Sequence, residues 1–196
     1  MAKVKIEGNA SGTGTFTIAA PNSNTDRTLT LPDEAGTVLT SASDITNQAR
    51  TGTPMFKAMM GDTAYSISNA TYTKVPFNTV IADPLSDYDT TNYRYTPSVA
   101  GWYMVIARVR AGIQSNGDYI GLQLRANGSF FAALYDEDFY PTGSDMQMFG
   151  STLIELNGST DYIDVYGIVA EAGSSYFYGN GTVQYNSFEA FLVRAA

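Results

Sequence analysis

The run Trp102-Tyr103-Met104-Val105-Ile106-Ala107-Arg108-Val109-Arg110 decides the fold. Tyr103, Val105, Ala107 and Val109 fall on one side of a two-residue repeat, and Trp102, Met104 and Ile106 make the other side apolar as well. Successive side chains of a strand point to opposite faces, so this strand asks for burial on both. Trp102, Met104 and Ile106 are therefore candidates for contact with a neighbouring subunit. Downstream, Gly117 to Ala126 alternates with one wet side: Ile120, Leu122, Leu124 and Ala126 against Tyr119, Gly121, Gln123 and Arg125. Further strands are expected at 56–60, 73–77, 147–156, 162–169 and 188–193. Asn116-Gly117, Asn127-Gly128 and Asn157-Gly158 read as hairpin turns. Many short strands, close turns and no amphipathic helix indicate an all-β sandwich or barrel.

Outward from this region, composition changes near residue 54. Phe16 is the one aromatic before it, although the 196-residue chain holds one Trp, 14 Tyr and 10 Phe. Only residues 55–196 have material for a large core. The first 40 residues read as short extended pieces at 3–6, 15–18, 28–31 and 37–40, separated by Gly- and Pro-containing turns. Four such thin stripes cannot build a core alone, so pairing with other chains is expected. Residues 41–54, small and polar, read as a linker. Fully extended, the 40-residue arm spans at most about 130 Å.

Phe77, Asp83, Tyr88, Tyr95, Gly101, Tyr103 and Val105 carry a resemblance. Their order and spacing resemble the signature of the globular head of the complement component 1, subunit q family, among the TNF-like jelly rolls. Tyr95 stands where Phe is usual, and Val105 and Ala107 where aromatics are usual; these are changes of volume within a core stripe. The ending Ser187-Phe188-Glu189-Ala190-Phe191-Leu192-Val193 is similar to the family's last strand, with Ala190 in place of Gly. The resemblance implies a TNF-like jelly-roll head over 55–196, assembled as a homotrimer.

A second resemblance lies in Thr28-Leu29-Thr30-Leu31-Pro32-Asp33-Glu34-Ala35-Gly36-Thr37-Val38-Leu39-Thr40. This phrase is similar to segments of bacteriophage tail-fibre proteins, which implies a virion structural protein made in the host cytoplasm. Leu29, Leu31, Val38 and Leu39 are then the candidates for virion attachment, through tail, baseplate or capsid proteins. The combined expectation is a short trimeric fibre, spike or head-decoration protein with an outward-facing head, for host adsorption or particle stability. The alternative is a free-standing glycan- or receptor-binding module.

The chain has no Cys and no His, which removes the usual zinc sites, disulfides, and serine or cysteine triads. Its net charge of −8 disfavours nucleic acid and anionic membranes, and no apolar run is long enough to cross a bilayer. No enzymatic activity, cofactor or metal is expected. Asp83, Asp87 and Asp89, and Asp136, Glu137 and Asp138, could suit a hard cation or a carboxylate hydrolase, but read first as solvated acidic loops. Phe130 and Phe131 read as core or subunit interface. Tyr176, Phe177 and Tyr178, in a Gly- and Ser-rich loop, are candidates for receptor binding, together with Tyr135 and Tyr140. Five Asn-x-Ser/Thr triplets, at Asn9, Asn69, Asn127, Asn157 and Asn180, read as chance or turns, and Gly12-Thr13-Gly14 lacks phosphate-loop spacing.

Overall fold

The computed structural model describes residues 53–113, 117–138, 145–171, 173, 175–179 and 185–196, with 11–15, 17, 22–26 and 28 of the N-terminal segment. Leu29, Leu31, Val38, Leu39 and Tyr140 lie outside the described residues, as do most of the expected N-terminal strands. The chain divides into two compact units, Met1–Ser41 and Ala42–Ala196. All described strands belong to the second.

In chain order the strands are β1 Met55–Met59, β2 Tyr65–Ile67, β3 Thr73–Lys74, β4 Thr79–Ala82, β5 Tyr88–Asp89, β6 Arg94–Tyr95 and β7 Ala100–Gly112. They continue with β8 Gly117–Ala126, β9 Ser129–Glu137, β10 Asp145–Asn157, β11 Ile163–Glu171, β12 Ser175–Phe177 and β13 Ser187–Ala195. Two antiparallel sheets result, with no helix among the described residues. In the first, β10 lies along the full length of β7, β13 flanks β7 on the other side, and β1 and β4 follow outward; β12 and β2 extend the sheet beyond the end of β13. The second has the order β5-β6-β11-β8-β9, with β3 also on β11. From β7 the chain passes to the second sheet for β8 and β9, back to the first for β10, across again for β11 and back for β13. This repeated crossing between two sheets is the jelly roll.

The two-residue repeat of β7 survives intact. Tyr103, Val105, Ala107, Val109 and Ala111 are fully buried between the sheets, while Trp102 to Arg110 on the other face remain partly or largely exposed in the single chain. At Asn127-Gly128 both residues have positive φ, 52° and 80°, the geometry of a tight hairpin whose twist matches its strands. Asn157-Gly158 is a turn but not a hairpin. It links β10 of one sheet to β11 of the other, with the Asn157 side-chain oxygen accepting from the backbone N–H groups of Ser159, Thr160 and Asp161, each at 3.0 Å. An Asn-Gly pair selects local backbone angles, not the partner of the strand that follows.

The strand expected at 73–77 stops at Lys74. Pro76 has no N–H to give a ladder, and Val75, Pro76 and Phe77 are buried in succession instead of alternating. Phe77 joins an aromatic cluster that closes one end of the sandwich: Phe56 stacks on Tyr88 at 4.8 Å and Tyr95 at 4.3 Å, and meets Phe188 edge-on. Two hydroxyls of this cluster are hydrogen-bonded, that of Tyr88 donating to the Phe77 carbonyl at 2.9 Å and that of Tyr103 to the Val99 carbonyl at 2.7 Å, whereas the buried Tyr95 hydroxyl has no hydrogen-bond partner among the described residues. The spaced aromatic residues of the signature, Phe77, Tyr88, Tyr95 and Tyr103, thus line one core.

The acidic loop at 83–89 braces backbone. Asp83 accepts from the N–H groups of Asp87 and Tyr88, Asp87 from Ser98, and Asp89 from Thr91 and Asn92. These hydrogen bonds to Asn92 and Thr91 hold the Asp89 carboxyl below the usual carboxylate range.

Candidate functional site

The outer faces of the two sheets differ. On the second sheet, charges and aromatics hold one another: Lys74 meets the buried Asp164 at 2.6 Å, Arg125 lies 3.8 Å over the Tyr166 ring, and the Tyr72 and Tyr119 hydroxyls are 2.9 Å apart. On the first sheet, the register of β10, β7, β13 and β1 places Leu153, Met104, Phe191 and Met55 in one row. Trp102 lies one row further along and Ile106 one row back, and Trp102, Leu153 and Phe191 are each more than 40% exposed. Trp102, Met104 and Ile106 therefore form the centre of a contiguous apolar strip.

Towards the other end of β7 this face becomes basic and aromatic. Arg110 forms an ion pair with Asp145 at 2.8 Å, and its guanidinium lies 4.4 Å from the Tyr185 ring centre and 5.1 Å from that of Tyr178. The buried Asn186 ties this corner together, accepting from the Arg110 N–H and donating to the Tyr178 carbonyl. Between the two ends lies a cavity of about 580 Å³, lined by Lys57, Ile106, Arg108, Gln147, Phe149, Tyr185 and Glu189.

The candidate receptor residues are dispersed. Tyr176 to Tyr178 do not form a free loop: Tyr176 and Phe177 belong to β12, which pairs with both β2 and β7. Phe177 is fully buried, its ring packed where Gly167 of β11 has no side chain, and so it cannot contact a receptor. The flanking glycines made this segment look loop-like, but tertiary pairing overrides that local signal. Tyr176 and Tyr178 are half-buried and remain at the surface, with Tyr176 lying across Gly112. Tyr135 is on β9 of the second sheet, apart from them in the fold; its hydroxyl donates to Glu137, and that bond raises the pKa of the phenol. Phe130 and Phe131 are not core, being 63% and 42% exposed on the edge strand β9. Arg110, Phe149 and Tyr185 escaped the sequence reading, although the apolar-to-basic change along Trp102–Arg110 was the available signal.

No protein-family model matches the chain, and no curated protein sequence matches it. Among solved structures, a TNF protein, Eiger from S. frugiperda, is similar over 73% of this chain and 95% of its own, at 14% identity and a TM-score of 0.49. The jelly-roll assignment rests on the strand order itself.

Proposed function

We propose that this protein is a non-enzymatic structural component of a bacteriophage virion, a short homotrimeric fibre, spike or head-decoration protein. In this reading the N-terminal arm, through residues such as Leu29, Leu31, Val38 and Leu39, engages other virion proteins, and the jelly-roll head faces outward for adsorption or particle stability. The observation that carries the assembly is the apolar strip of Trp102, Met104, Ile106, Leu153 and Phe191 on the outer face of the first sheet. Phe130 and Phe131 on the edge of the second sheet supply a different apolar surface. A face on one copy and an edge on the next make a head-to-tail contact, which closes into a ring when the rotation allows it. The virion assignment is supported by the tail-fibre resemblance of Thr28–Thr40.

Light scattering of the full chain at micromolar concentration tests the assembly, with a trimer expected. Trp102→Glu combined with Phe191→Glu is expected to give a folded monomer; a wild-type monomer overturns the proposal. Mass spectrometry of purified virions tests location. A free-standing binding module, the reading favoured by the basic aromatic corner, would be missing from the particles.

A further inference from the structure

We propose that the cavity on the outer face of the first sheet binds an acidic saccharide unit, a sugar ring carrying a carboxylate. Three observations define the ligand, and none depends on the virion reading. The cavity, at about 580 Å³, falls within the roughly 300–1,000 Å³ of small-molecule sites. Its charges do not balance: Glu189 faces two cations, Lys57 at 3.2 Å and Arg108 at 4.0 Å, on a chain whose net charge is −8. Its apolar surface is aromatic and open, with Phe149 67% exposed and Tyr185 beside it.

These features fit a flat, hydroxyl-rich anion. The C–H face of a sugar ring can lie on Phe149, burying apolar surface that otherwise meets water. Its carboxylate can complete the charge around Lys57 and Arg108, in the two-pronged geometry that a guanidinium favours. The Arg108 side chain is already positioned, because its Nε donates to Ser187 Oγ at 2.8 Å and Ser187 in turn bonds Glu189 at 2.9 Å. Gln147, whose amide reaches the Tyr185 carbonyl at 3.2 Å, supplies donor and acceptor groups for ring hydroxyls at the same wall. A neutral sugar would leave the second cation uncompensated, and a simple inorganic anion would leave Phe149 uncovered. The overall negative charge repels anions at long range, so the site binds weakly.

The test is calorimetric titration of the full chain with cellobiuronic acid, using cellobiose as the neutral control. The acidic disaccharide is expected to bind about tenfold more tightly than the neutral one, and to lose that advantage as salt rises from roughly 0.05 to 0.5 M. Arg108→Gln should abolish the preference, and Phe149→Ser should weaken both sugars. Because Arg108 also holds Ser187, Lys57→Met provides a second check on the charge. Equal binding of the two disaccharides, no saturation by about 10 mM acid, or wild-type binding by folded Arg108→Gln and Phe149→Ser variants overturns the proposal. Light scattering on the same samples separates the two readings: a monomer that still prefers the acid keeps this site and removes the trimer, and a trimer without preference removes this site alone.

Discussion

Gly101 is a position where a single atom decides stability. Its φ is +154°, and a Cβ there would come 2.3 Å from the Arg194 carbonyl oxygen and 2.7 Å from a Leu192 methyl. Gly101→Ala therefore forces β7 and β13 apart where the bulge between Leu192 and Arg194 brings them together. A loss of about 2–4 kcal/mol is expected, read as a fall of the melting temperature of roughly 5–15 °C by calorimetry. The buried tyrosines give a second prediction. Burial pushes the Tyr103 phenol up to about 12, and raises those of Tyr88 and Tyr95 further. An acid whose folded pKa lies above its unfolded value of about 10 stabilises the fold fully below pH 10, and that stability is lost as pH rises through the folded pKa. Urea unfolding should therefore show stability falling from pH 10 to about 12, with a shallower fall in Tyr103→Phe.

At the scale of elements, β12 shows how a three-residue strand can matter more than its length suggests. It bridges β2 to the end of β7 and sends Phe177 across the core to Gly167 of the opposite sheet. Phe177→Ala should cost about 3–5 kcal/mol in denaturant unfolding. Tyr178→Ala, one residue on and half-buried beside Arg110, should cost no more than about 1 kcal/mol. A reversal of that order would mean that Phe177 does not anchor the segment in the core. Gly150 shows the same economy of space, since a Cβ there would lie 2.2 Å from the Leu134 carbonyl of β9 and would push the two sheets apart at their edge.

For the whole molecule, the absence of histidine has a thermodynamic consequence. No side-chain type present has its ordinary pKa between pH 6 and 9, because histidine and cysteine are both absent. The melting temperature is expected to change by less than about 2 °C between pH 6 and 9. A sharp transition in that window in scanning calorimetry would point to a titrating group elsewhere, or to pH-dependent assembly. The two sheets also differ on their outsides: one carries an ion pair and cation–π contacts, with Phe130 and Phe131 exposed at its edge, and the other leaves an apolar strip and a basic aromatic corner to meet something else.

The sequence alone determined the strands that are long and strictly periodic. The strands expected at 102–110, 117–126 and 147–156 fall within Ala100–Gly112, Gly117–Ala126 and Asp145–Asn157, because alternation is a local property of the pleat. The spaced aromatic residues of the signature were legible for the same reason, since each lines one compact core. Tertiary structure alone decided where short segments pair. Tyr65–Ile67 and Ser175–Phe177 carry too few residues for a period, and acquire strand geometry only from neighbours distant in the chain. It likewise decided which side of an aromatic meets water. Phe177 is buried and Phe130 exposed, because burial depends on the sheet that lies opposite, and no local pattern encodes that sheet.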